Sequence, residues 1–131
     1  MLSRLLKSAR VVPPPPGVRW AAQTSGTTAD LRGIAWSGTQ FCVVGDDGTI
    51  LTSPDGITWT SRTSGTTVTL LGITWSGTQF CVVGFADTIL TSPDGITWTS
   101  RTSGTTVDLT AVTWSGTQFC VVGEDGTILT S

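Results

Sequence analysis

The sequence predicts an all-β protein built from three copies of one four-stranded unit, and three observations carry that reading. The six tryptophans form two series, Trp20, Trp59 and Trp98, and Trp36, Trp75 and Trp114, each stepping by 39 residues. Residues 53–68 and 92–107 are identical, both reading SPDGITWTSRTSGTTV. Charged residues make up 12% of the 131 positions, about half the usual share, while Ser, Thr and Gly abound. A fixed period of this size marks supersecondary units that stack on one another. The composition is that of short strands joined by turns.

The middle copy shows how one period divides. Strand one is LLGITWS, Leu70–Ser76, ended by the Ser76-Gly77 turn. Strand two is TQFCVVG, Thr78–Gly84, and a loop at Phe85-Ala86-Asp87 leads to strand three, TILTS, Thr88–Ser92. Pro93-Asp94-Gly95 then makes a tight turn, because Pro presets φ and Gly accepts the positive φ that other residues resist. Strand four is ITWTSRTS, Ile96–Ser103, and GTT joins it to the next unit. In strand two both alternating faces are apolar, Phe80 and Val82 on one and Cys81 and Val83 on the other. Such a strand needs cover on both sides. Four-stranded sheets stacked face to face around an axis supply that cover, which predicts the blades of a β-propeller. A β-solenoid is the alternative, although its coils are usually shorter and carry no hairpin within the repeat.

At TSPDGITWTSR, with GTILTS before it, the chain resembles the bacterial-neuraminidase, or Asp-box, repeats of sialidases, sortilin-like receptors and photosystem II assembly-factor-like propellers. The resemblance covers residues 20–131 in a short-turn form. An Asp-box usually reads Ser-x-Asp-x-Gly-x-Thr-Trp, whereas Asp55 here directly precedes Gly56. The resemblance implies a propeller. It does not imply sialidase chemistry, because that nucleophile is a tyrosine and this chain has no Tyr. Arg62 and Arg101 are copies of one repeat position, not a convergent carboxylate-binding set.

The two ends are complementary in sequence. GVRWAAQTSGTT, from Gly17, aligns with GITWTSRTSGTT, so the chain opens on a strand four without its own blade. The last unit, from Leu109 to Ser131, lacks only that strand. Residues 20–131 therefore form a three-blade segment, whereas closed propellers take at least four blades. The expectation is head-to-tail oligomerisation, with Val18, Arg19 and Trp20 of one chain in an intermolecular velcro strand on the last blade of another. A homodimer closes at six blades and a homotrimer at nine, and the dimer is preferred.

Residues 1–19 read as a separate arm. Leu2, Leu5 and Leu6 share one helical face, Arg4, Lys7 and Arg10 surround it, and VVPPPPGV follows as a stiff polyproline spacer. The arm carries four basic residues and no acid, whereas the remainder holds three arginines against all nine acids. A mitochondrial presequence is one reading of such a segment. The start at Met1, read as uncleaved, argues against a processed organellar protein. The arm is therefore expected to anchor the chain in a larger protein assembly.

The mildly acidic body argues against a nucleic-acid partner, and no apolar run is long enough to span a membrane. Cys42, Cys81 and Cys120 recur within the phrase QFCVVG, a poor disulfide framework and a natural set of small buried hydrophobes. With no His, no Tyr and a single Lys, the usual general bases and metal ligands are scarce. The acidic turns at Asp46-Asp47 and Glu124-Asp125 read as hairpin tips, with too few oxygens for a cation. No enzyme, cofactor or metal is expected. The expected function is a structural or interaction propeller in a larger assembly, for example a phage virion component of the tail or capsid surface; otherwise the chain is expected to be cytoplasmic. A lectin-like or protein-binding propeller with a possible glycan ligand is the alternative, and an assembly factor is a third. One loop stands apart: Phe85-Ala86-Asp87 replaces the Asp46-Asp47-Gly48 and Glu124-Asp125-Gly126 of the outer copies, and marks Phe85 as a candidate partner contact.

Overall fold

A computed structural model describes residues 11–131. It is all-β, with no α-helix among those residues. Unit I comprises β1 (Leu31–Trp36), β2 (Phe41–Gly45), β3 (Ile50–Ser53) and β4 (Thr60–Arg62). Unit II comprises β5 (Leu70–Trp75), β6 (Phe80–Gly84), β7 (Ile89–Ser92) and β8 (Thr99–Arg101). Unit III comprises β9 (Leu109–Trp114), β10 (Phe119–Gly123) and β11 (Ile128–Thr130). Each unit is an antiparallel meander in chain order, four-stranded in I and II and three-stranded in III.

The strands lie where the pattern puts them, with shorter ends for definite reasons. Strand four shrinks most, from the expected Ile96–Ser103 to Thr99–Arg101. The carboxylate of Asp94 accepts hydrogen bonds from the backbone N–H of Ile96 at 2.8 Å and Thr97 at 2.9 Å, holding both in the turn. Ser103 is likewise lost to the linker, where its hydroxyl donates to the Thr105 carbonyl. Strand two starts at Phe80, not Thr78, because the Ser76 hydroxyl accepts the N–H of Thr78 and Gln79. Local side-chain hydrogen bonds win over the ladder at each of these points.

The sheets stack face to face, β1 against β5 and β5 against β9. Between I and II, Cys42, Val44 and Ile50 of one sheet meet Phe80, Val82 and Leu90 of the next, with Leu70 and the half-buried Trp75 and Trp98 around them. Between II and III, Val83 meets Val121 and Leu109, flanked by Ile89, Val112 and Leu129. β6, apolar on both faces, is covered on both sides. The innermost strands approach so closely that side chains are trimmed away. A Cβ on Gly33 would stand 3.2 Å from the Leu71 carbonyl oxygen, and one on Gly72 would stand 3.3 Å from the Ala111 Cα. The third member of that series is Ala111, which carries the methyl the other two lack.

Candidate functional site

Each complete unit closes with a turn in which two side chains hold the backbone. In unit II the buried Ser92 hydroxyl accepts from the Gly95 N–H at 2.8 Å and donates to the Asp94 carboxylate at 3.1 Å. The backbone N–H groups of Thr97 and Ile96, which donate to the Asp94 carboxylate, hold it below the usual carboxylate range. Asp55 is lowered in the same way by Thr58 and Ile57. Gly95 takes φ +75, and its carbonyl receives the Trp98 indole N–H at 3.1 Å. Arg62 and Arg101 donate to Thr52 and Thr91 at 2.9 Å within their own sheets. The turn of unit II is also tied to unit I, where the Gln40 side-chain amide donates to the Asp94 carbonyl at 2.8 Å.

Three rings line each finished unit. Trp36, Phe41 and Trp59 have successive centroid distances of 4.6 and 6.2 Å, and Trp75, Phe80 and Trp98 repeat both values. Unit III has only the first pair, Trp114 and Phe119 at 4.8 Å. Its β11 pairs with β10 alone, so its other edge is open among the described residues.

The outward faces of units I and III are apolar, and their residues are repeat equivalents of buried ones. On unit III, Val122 is 41% exposed and Ile128 69%, whereas Val44, Val83 and Ile50 are fully buried. On unit I, Leu31 is 43% exposed, whereas Leu70 and Leu109 are fully buried; Ile34 and Trp36 on the same side are exposed too. A shallow apolar hollow of about 380 Å³ lies there, lined by Leu31, Ile34, Val43, Leu51 and Trp59. Cys120, on the unit III face, is half-buried, while its counterparts Cys42 and Cys81 are buried with thiols pushed up to about 12 and about 11, chiefly by desolvation.

Val18, Arg19 and Trp20 lie outside any strand, with Trp20 89% exposed. Phe85 is exposed at the tip of the β6–β7 loop, its N–H donating to the Thr69 carbonyl. Leu2, Arg4, Leu5, Leu6, Lys7 and Arg10 lie outside the described residues. In unit I the position of Phe85 is held by Asp46, which receives both Nε and Nη2 of Arg32 at 2.9 and 3.1 Å and titrates below its ordinary range mainly through that pairing. The equivalent pair in unit II is Leu71 and Phe85. Sequence reasoning missed both the Arg32–Asp46 pair and the Gln40 tie. For the first a signal was present in units I and II, where Arg32 and Asp46 give way together to Leu71 and Phe85, whereas unit III keeps the acid as Glu124 beside Thr110.

No group of three or more potential metal-ligating side chains occurs among the described residues, and no helix among them is long and apolar enough to cross a membrane. No family model, curated protein or solved structure matches the chain.

Proposed function

We propose that the chain is a non-enzymatic structural or interaction module, three blades of a β-propeller that copies of the chain complete head to tail. The observation that carries this reading is the repeat equivalence of the two outward faces. Val122, Ile128 and Cys120 belong to the residue series that fills each internal junction from one side. Leu31, Ile34, Trp36 and Phe41 belong to the series that fills it from the other. A contact between the two faces reuses a packing the molecule already makes twice. The interface is heterologous, and rotation about one axis closes it. Two copies make six blades, the preferred ring, and three make nine.

The Ser-Pro-Asp-Gly-x-x-Trp turn supports kinship with Asp-box-type propellers. A ring with an N-terminal arm, residues 1–19, fits a component of a larger assembly such as a virion, with the arm as anchor and Phe85 as a further contact. A glycan-binding or assembly-factor role is the second reading, and rests on the resemblance of the repeats alone. Light scattering on the purified chain tests the core of the proposal. The expected mass is two or three times 13.7 kDa, and a stable monomer at micromolar concentration overturns it. For the assembly role, co-sedimentation with particles is expected, whereas glycan-array binding by a free ring favours the second reading.

A further inference from the structure

We propose that residues 17–28 of a neighbouring copy form the fourth strand of unit III, with Trp20 seated beside Phe119. This rests on the head-to-tail reading and names the contact that seals it. Between units II and III lies a cleft of about 530 Å³, lined by Gln79, Cys81, Thr91, Trp114, Phe119 and Leu129 among others. At the junction of I and II the corresponding space holds the Asp94-Gly95 turn and Trp98. There Gln40 donates to the Asp94 carbonyl, and Gly95 lies against Thr52 and Phe80. The residues equivalent to Gln40, Thr52 and Phe80 are Gln79, Thr91 and Phe119. The socket is repeated, and among the described residues no turn fills it.

The N-terminal segment has the plug's sequence and much of its local shape. Pro15, Gly17, Val18 and Trp20 align with Pro93, Gly95, Ile96 and Trp98. Gly17 already takes φ +86, close to the +75 of Gly95. Downstream, the Ser25 hydroxyl donates to the Thr27 carbonyl at 3.1 Å and the Ala29 N–H donates to the Thr27 hydroxyl at 3.1 Å. The internal linkers make the same bonds at Ser64, Thr66 and Val68 and at Ser103, Thr105 and Val107. A segment held near its bound form loses less entropy on docking.

A second empty seat points the same way. In unit I a Cβ on Gly48 would collide with the Thr66 carbonyl oxygen and crowd the Ser64 hydroxyl, so the linker runs directly beneath that loop. The equivalent Gly126 has nothing within 4 Å. Thr27 and Ser25 of the incoming copy are the residues equivalent to Thr66 and Ser64.

The register follows from β3 and β4, where Ile50, Leu51 and Thr52 face Arg62, Ser61 and Thr60. Transferred by repeat position, Ile128, Leu129 and Thr130 face the neighbour's Gln23, Ala22 and Ala21. Gln23 stands where Arg62 and Arg101 donate to Thr52 and Thr91, and brings an amide donor to Thr130. Gln79 donates to the Pro16 carbonyl, the counterpart of Asp94. A strand supplied by a neighbouring copy does not grow out of β11 through a hairpin turn. It therefore has no need of the Ser and Asp that bend the internal turns, and prolines 13–16 stand in their place.

Two full-length chains with different tags, both in a Cys120→Ser background, provide the test. One carries Ala22→Cys and the other Leu129→Cys; they are mixed, allowed to assemble and mildly oxidised. A reducible covalent heterodimer is expected, and none when Ser37→Cys replaces Leu129→Cys. Trp20→Ala, at a site exposed in the single chain, is expected to keep the β-sheet circular dichroism signal and to raise the dissociation constant of the oligomer about 30-fold. An oligomer that forms without the cross-link and is indifferent to Trp20→Ala overturns the strand assignment and leaves head-to-tail closure standing. A chain that stays monomeric overturns closure itself, and the strand assignment with it.

Discussion

The junction between units I and II and the junction between II and III use the same residues and end in different states. At the first, Phe80 is fully buried; at the second, its counterpart Phe119 keeps 7% of its surface. The first contains a seven-residue buried cluster, and the second holds three buried residues with partly exposed neighbours around them. The first three strands of each sheet pair in the same way, so their pairing does not explain the gap. What differs is the turn, the third ring and the Gln40 tie that come with a fourth strand. Strand four is three residues long and mostly exposed, yet its arrival at the neighbouring unit seals the seam.

The largest test of that comparison is a pair of truncations. Phe80→Ala empties a sealed cluster and is expected to cost about 3–5 kcal/mol. Phe119→Ala in the single chain is expected to cost measurably less, since its site is already open along one side. Denaturant midpoints at low protein concentration give both values, and equal costs would mean that the fourth strand does not seal the seam. A smaller effect separates Gln40 from Gln79. Gln40→Ala removes a hydrogen bond worth about 0.5–1.5 kcal/mol, whereas Gln79→Ala is expected to be near neutral in the dispersed chain and costly only in the oligomer. A concentration-independent penalty at Gln79 would contradict this.

The smallest expected effect is one of pH. The carboxyls of Asp55 and Asp94 are lowered by the turn, so their contribution is present above the ordinary carboxylate pKa of about 4. It is lost as pH falls through the lowered folded-state values. Wild-type melting temperature should therefore decline toward strong acid, and the Asp55→Asn, Asp94→Asn double variant should show a flatter profile. A parallel decline in both proteins would remove these turns as the source of acid sensitivity.

The period, the strand content and the doubly apolar second strand were legible because the repeat prints them three times. The pattern extends strand four over Ile96–Ser103, since alternating β-branched and polar residues read as a strand, whereas β8 spans Thr99–Arg101. Only the geometry reveals that Asp94 has already claimed the N–H groups of Ile96 and Thr97. Gln40 was unreadable for a different reason: its partner is a backbone carbonyl 54 residues away, and a carbonyl leaves no mark in a sequence. The exposure of Ile128 beside the burial of Ile50 was likewise invisible, since the residues are the same and only their neighbours differ.

Ala111 gives the molecule a mechanical grain. At the two internal junctions, Gly33 and Gly72 let adjoining innermost strands close to contact distance. A junction made through unit III meets the next strand with the Ala111 methyl between them, a shim a few tenths of an ångström thick. Such a joint is seated less closely than the internal ones. In the ring proposed above, chains that separate at that joint keep their three units and give up only the strand lent to the neighbouring copy.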